Sequence, residues 1–244
     1  MPGRPVMVGS LGVGNGFPVR VESMLKTPLQ DLPGCLEETR SLAEEGCELV
    51  RVAFPAMGLS GELSRLIEGS SIEVMADIHF DHRLAIGAID SGCRSVRINP
   101  GNMGGHRGMR ELSRAVNDNG VVVRIGANSG SLSRSQMEKA GGDVGRALFD
   151  AVSEQVGLLL DWGVEEMILS AKSSSIKTTL RANSMIASTF DAPIHIGLTE
   201  SGPDQRGVIK SSVAVGSLLG SGIGDTIRIS LTGTSREEVI VGKR

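Results

Sequence analysis

The sequence predicts a single (β/α)8 barrel, and three observations carry that prediction. Eight short runs rich in β-branched residues alternate with longer stretches of helical spacing. Five of the helical stretches end on glycine. The apolar residues are almost all aliphatic, with aromatics at 2% and no tyrosine, which suits a barrel interior filled by branched side chains. One such barrel takes roughly 250 residues, and the chain has 244.

The strand-like runs are residues 19–21, 48–54, 72–78, 95–98, 121–125, 166–170, 193–196 and 226–230. Between them, 32–45, 107–117, 145–162, 175–189 and 209–220 repeat apolar residues every third or fourth position, with shorter candidates at 59–67 and 83–90. Gly46, Gly92, Gly120, Gly163 and Gly222 stand where helices should close in a left-handed turn. Regular strand–helix alternation implies right-handed crossovers and a parallel sheet. Eight units favour a closed barrel over an open doubly wound sheet, and no G-x-G-x-x-G follows an early strand. The glycines at 12, 14 and 16 read as a hairpin turn ahead of the first core strand. The eighth unit looks incomplete, since little chain remains after Ser230 for its helix.

Composition narrows the function. Hydrophobic residues are 40% of the chain, enough for a large core, and a net charge of −3 gives no reason to expect nucleic acid or an acidic membrane surface. No apolar run is long enough to span a bilayer, and no basic segment precedes an apolar one, so the chain reads as cytoplasmic. Cys35, Cys47 and Cys93 are an odd, scattered set without C-x-x-C spacing and read as packing residues in a reducing compartment. No metal site is expected in this chain.

In such barrels the active site lies at the C-terminal ends of the strands. Arg51, Arg97, Arg124 and Arg228 each sit inside a strand-like apolar run, and Lys172 follows the sixth. A guanidinium is costly to bury without an anion. Five cations converging on one mouth need a counter-anion, of which Asp77 and Glu200 supply part. A diphosphate fits the remainder, because arginine grips phosphate oxygens bidentately and lysine meets them as a point charge. The alternative is that each arginine is a barrel-stabilising ion-pair residue. His79, between Asp77 and Asp81, reads either as a ligand or proton donor or as a hydrogen-bond partner of Asp77. His195 reads as a satisfied interior residue, and His82 and His106 as surface residues. Glu200, in a glycine-flanked loop after the seventh strand, is the candidate for acid–base work, with an ion pair to Lys172 as the alternative.

Four segments carry a family resemblance: Ala76-Asp77-Ile78-His79-Phe80-Asp81; Arg97-Ile98-Asn99-Pro100-Gly101-Asn102; Arg124-Ile125-Gly126 with Asn128 and Gly130-Ser131-Leu132; and Gly222-Ile223-Gly224-Asp225-Thr226. In order and over nearly the whole chain they resemble 4-hydroxy-3-methylbut-2-enyl diphosphate synthases, which open 2-C-methyl-D-erythritol 2,4-cyclodiphosphate in isoprenoid synthesis. The resemblance implies that Arg51, Arg97, Arg124, Lys172, Arg228 and Ser230 hold the diphosphate with Asn99 and Asn128 beside it. It further implies that Asp77 and His79 line the mouth, and that Glu200 moves a proton. It implies a [4Fe–4S] cluster on a separate C-terminal domain, an electron donor (flavodoxin or ferredoxin), and a homodimer in which one subunit's cluster domain caps the other's barrel. The expected organisation is one barrel domain over residues 1–244, without the cluster domain and its ligands, and therefore inactive alone. The family's Gln-Ser-Met-Thr-Asn-Thr reads Glu22-Ser23-Met24-Leu25-Lys26-Thr27 here, and the changes to leucine and lysine alter a polar loop near the expected substrate site. Two other functions compete: a cofactor-free aldolase or isomerase using Lys172 as a Schiff base, and a non-catalytic diphosphate-binding module.

Overall fold

The computed structural model describes residues 4–78, 81–99 and 103–244. A short antiparallel hairpin, β1 (Val6–Val8) and β2 (Leu11–Val13), precedes the barrel. The barrel strands are β3 (Arg20–Met24), β4 (Leu49–Ala53), β5 (Glu73–Asp77), β6 (Ser95–Arg97), β7 (Val122–Asn128), β8 (Met167–Lys172), β9 (His195–Ile196) and β10 (Thr226–Ile227). They pair in parallel in the order β8-β7-β6-β5-β4-β3-β10-β9. A parallel bridge from Leu169 to Ile194 joins β8 to the approach of β9 and closes the ring. All eight expected strands are present, and the barrel is confirmed.

Helices follow the strands in turn: α1 (Leu32–Glu44), α2 (Ser60–Gly69), α3 (His82–Asp90), α4 (Gly105–Asn119), α5 (Arg134–Lys139), α6 (Val144–Asp161), α7 (Ile176–Thr189), α8 (Asp204–Gly220) and α9 (Ser235–Lys243). Asp31, Asp81, Ser133, Asp143, Ser175 and Thr234 accept first-turn backbone N–H groups and fix six of the starts. The five closing glycines all adopt positive φ, as the sequence requires. The last helix is short but sufficient. Thr234 and Glu237 form a capping box at its start, and its Val239 is fully buried.

Three local details differ from the sequence reading. The tight turn of the hairpin is Gly9-Ser10, with Gly9 at φ 57°, while Gly12 and Val13 belong to β2. Gly12 is needed for a different reason: a Cβ there would lie 2.2 Å from the Phe17 ring. The helix α5 carries no apolar period and went unassigned, yet Ser133 and Gln136 form a complete capping box. The helix α8 begins earlier than its pattern, because Gln205 and Arg206 in its first turn face solvent and Gly207 faces inward without a side chain.

The hairpin plugs the N-terminal end of the barrel. Val6, Val8 and Val13 pack with Leu49, Met75, Val122 and Ile168 in one small core, separate from the large aliphatic core between strands and helices. That leaves the C-terminal end as the open mouth.

Candidate functional site

Strand register gathers the charges. Parallel pairing sets Asp77 beside Arg97 and Arg97 beside Arg124, across β5, β6 and β7. It likewise sets Met24 beside Arg51 and Asn128 beside Lys172. Arg51, Arg97, Arg124, Lys172 and Arg228 all line one pocket of ≈ 510 Å³ at the mouth, part of it open to solvent. Asn128 and Ser230 line it too. Seven of the eight expected binding residues therefore converge.

Asn99 is the exception. It lies in an adjoining pocket with Ser131, Gln136 and Gln155, connected to the first through Gly126 and Ala127. Asp77 is buried, with its oxygens 3.2 Å from Arg51 Nε and 3.4 Å from Arg97 Nη1, so it braces two pocket arginines. Glu200 is exposed beside the pocket-lining Thr199 and holds a left-handed backbone at φ 50°, uncommon for a non-glycine residue. Among the described residues it forms no ion pair with Lys172. His79 lies outside the described residues. His106 is exposed and stacks edge-on against Trp162. His82 corrects the surface assignment: it is half-buried, 3.3 Å from Glu111 and 3.6 Å from Asp81, because α3 packs against α4.

Two further carboxylates were missed. Glu22, from β3, is fully buried and ion-pairs with Arg124, while its Oε1 lies 3.8 Å from Arg51 and its Oε2 lies 3.6 Å from His195. It is the first position of the Gln-Ser-Met motif, and its signal was the acid where the motif has an amide. Glu238, from the first turn of α9, sits 3.3 Å from Arg228 and 3.7 Å from Lys26. The ion-pair reading of the arginines is thus correct for part of each side chain. It does not exhaust them. Among the described residues, Arg51 Nη2 and Arg228 Nη1 donate to the Met24 thioether alone, at 3.2 and 3.8 Å. Arg228 Nε, buried, has no hydrogen-bond partner among the described residues. A thioether is a weak acceptor, so donors aimed at it are available to phosphate oxygens.

Lys172 and His195 form the floor. Lys172 Nζ is 2.7 Å from His195 Nε2, and His195 Nδ1 is 2.7 Å from Thr226 Oγ1. Burial, with Arg228 and Arg124 nearby, pushes the Lys172 ammonium well below its ordinary value. Burial, with Lys172 and Arg124 nearby, likewise holds His195 well below the usual imidazole range. Burial also pulls Arg124 down to about 10, which leaves it charged at neutral pH. Burial alone would raise Glu22, but Arg124 and Arg51 outweigh it and keep the carboxyl ionised. Gly197 keeps this corner open, since a Cβ there would lie 2.2 Å from the Arg228 carbonyl and 3.4 Å from Lys172 Nζ.

The cysteines do not fit an iron–sulphur cluster. All three are buried, and Cys47 Sγ is hydrogen-bonded to the carbonyls of Val21 and Leu49. Burial raises the Cys35, Cys47 and Cys93 thiols to about 11, 12 and 12. No cluster of three or more metal-ligating side chains occurs among the described residues. A thiol-specific alkylating reagent at pH 8 is expected to label none of the three in the folded protein and all three in denaturant. Rapid labelling of any one under native conditions, followed by mass spectrometry, would show a reactive thiolate that the packing rules out.

The fold and the mouth together define a parallel (β/α)8 barrel with a cation-lined pocket at the C-terminal ends of its strands. The chain belongs to the GcpE TIM-barrel domain family, whose model matches residues 3–243. It is 39% identical over 239 residues to 4-hydroxy-3-methylbut-2-en-1-yl diphosphate synthase (flavodoxin) of Natranaerobius thermophilus, covering 98% of this chain and 67% of that protein. It is 42% identical over 240 residues to the protein of the same name in Corynebacterium diphtheriae, covering 98% and 61%. The chain therefore spans about two thirds of the length of the curated relatives it matches. Among solved structures, dihydropteroate synthase of Yersinia pestis superposes with a TM-score of 0.65 at 11% identity, covering 97% of this chain and 95% of that one. N-acetylneuraminic acid synthetase of Leptospira borgpetersenii gives 0.65 at 16%, covering 99% and 88%. At those identities the likeness shows the fold alone. No helix among the described residues is long and apolar enough to cross a membrane.

Proposed function

We propose that this barrel holds 2-C-methyl-D-erythritol 2,4-cyclodiphosphate for reductive opening to 4-hydroxy-3-methylbut-2-enyl diphosphate. The observation that carries the reading is the convergence of four guanidiniums and one amine on a single pocket, with donors on Arg51 and Arg228 that face only a thioether or no acceptor among the described residues. Arg51, Arg97, Arg124, Arg228 and Lys172 hold the phosphate oxygens, with Ser230 and Asn128 at the rim. Asn99, one pocket over, contacts the carbon part of the ligand. Asp77 positions Arg51 and Arg97. Glu200, at the solvent edge, delivers a proton to the departing oxygen; a catalytic role for His79 is carried over from the family resemblance alone.

The reduction needs electrons that none of the described side chains carries, and the cysteines do not fit a cluster. The cluster therefore comes from a separate domain or chain, and a one-electron donor such as flavodoxin or ferredoxin feeds it. The names of the relatives support the flavodoxin. The assembly is a cytoplasmic homodimer, and the 244 residues by themselves bind without turning over. Calorimetric titration with the cyclic diphosphate tests the binding: saturable heat is expected at micromolar to sub-millimolar ligand. A folded protein that gives no heat at millimolar ligand would overturn the reading. An iron assay after anaerobic reconstitution tests the second part, because one intact cubane per chain would contradict it.

A further inference from the structure

An anion pocket with a carboxylate buried directly behind it requires a reason. Glu22 is fully buried, and its close ionisable neighbours among the described residues, Arg124, Arg51 and His195, all line the pocket. Its Oε1 has no hydrogen-bond partner among the described residues, so fold stability alone gives little account of it. Burying an ion pair is seldom stabilising relative to apolar residues of the same volume. What a fixed negative charge there does do is oppose each negative charge a ligand brings to the same guanidiniums.

We infer that Glu22 sets the charge specificity of the pocket, favouring a cyclic diphosphate over a linear diphosphate ester. The inference rests on the diphosphate-binding reading above. In a cyclic diphosphate each phosphorus carries one ionised oxygen, so the ligand is a dianion. In a linear diphosphate monoester the terminal phosphorus carries two, so the ligand approaches a trianion at pH 8. Ring opening therefore adds one negative charge to whatever the pocket holds. Glu22 disfavours the trianion by one more charge–charge interaction than the dianion. At an effective dielectric constant near 20 and roughly 10 Å, that interaction is on the order of tenfold in affinity. The carboxylate thus loosens the ring-opened product relative to the cyclic substrate, where a neutral residue would let the more highly charged product accumulate.

Glu22→Gln removes the charge, keeps the shape and keeps an oxygen for Arg124 to donate to. Calorimetric titrations at pH 8 compare wild type and E22Q with two probes, 2-C-methyl-D-erythritol 2,4-cyclodiphosphate and dimethylallyl diphosphate. E22Q is expected to tighten both, and the linear probe by on the order of tenfold more than the cyclic one. Glu22→Asp, which restores the charge, is expected to return the ratio of the two affinities towards wild type. Glu22→Leu is read in the same way if urea unfolding shows that E22Q does not fold. An unchanged ratio in the charge-removing variant, with both probes binding, overturns the role of Glu22 and leaves the diphosphate reading standing. Equal weakening of both probes assigns Glu22 a structural role only and also overturns it. Failure of wild type to bind either probe removes both readings together.

Discussion

Replacing Arg124 with methionine is expected to lower the unfolding free energy by about 3–5 kcal/mol at neutral pH, the usual cost of stranding one half of a buried ion pair. Arg124 is 2% exposed, in the middle of β7, and its partner Glu22 is more buried still. Without Arg124, the nearest partners left to the carboxylate among the described residues are Arg51 at 3.8 Å and His195 at 3.6 Å, the latter neutral. The sign with pH follows. In the wild type Arg124 and Arg51 hold the Glu22 carboxyl below the usual carboxylate range, so its contribution is present above that range and lost as pH falls through the lowered value. With Arg124 gone, burial dominates and raises the carboxyl, so the deficit grows as pH rises and shrinks towards pH 4–5. Adding Glu22→Gln to the arginine variant is expected to recover most of the loss, because no charge is then left stranded. Urea unfolding of the two single variants and the double variant measures this. A cost under about 1 kcal/mol for Arg124→Met, or no recovery in the double variant, would mean that the pair is not the desolvated one described.

The barrel was legible because its signals are local. Alternation of strand and helix, and glycines at helix ends, do not depend on distant contacts, and each strand was found where its apolar run lies. The arginines were legible for a related reason: a guanidinium inside an apolar run conflicts with its surroundings, and that conflict is visible in one dimension. Their counter-charges were not. Glu22 stands between Val21 and Ser23, as a solvent-facing strand residue would, and only barrel closure buries it. Glu238 follows Arg236 and Glu237 in the first turn of α9, where an acid is ordinary for a helix start. It becomes a pocket residue only because α9 docks beside β3 and brings it to Arg228 and Lys26. Asn99 lines the adjoining pocket for a geometric reason. The two-residue strand period places it on the face of Arg97, but β6 ends at Arg97, and beyond the ladder that period no longer holds.

Binding of the cyclic diphosphate is expected to take up protons above neutral pH, and Lys172 is the group that takes them. In the free protein its amine is desolvated, faced by Arg228, Arg124 and Arg51, opposed by Glu22, and 2.7 Å from His195 Nε2. Two cations do not share that distance, so the pair carries at most one proton. A dianion in the pocket reverses the balance, because an opposite charge nearby favours the ammonium form. The free-state value is lowered and the bound-state value is higher, so affinity falls as pH rises between them, by up to about tenfold per pH unit for one proton. That window opens well below 10.5 and closes at the bound-state value. The ligand adds no proton of its own there, since both of its phosphates are already ionised. Lys172→Met is expected to weaken binding by about 10- to 100-fold, the worth of one hydrogen bond to a charged group. It should also abolish the uptake that Lys172 provides, leaving at most a smaller contribution from His195 at lower pH. Calorimetry at pH 8 in two buffers of different ionisation enthalpy reads the proton count directly. A count of zero in wild type, or an equal count in both proteins, would show that Lys172 keeps the same protonation state in the empty and the filled pocket and that its titration does not govern the affinity.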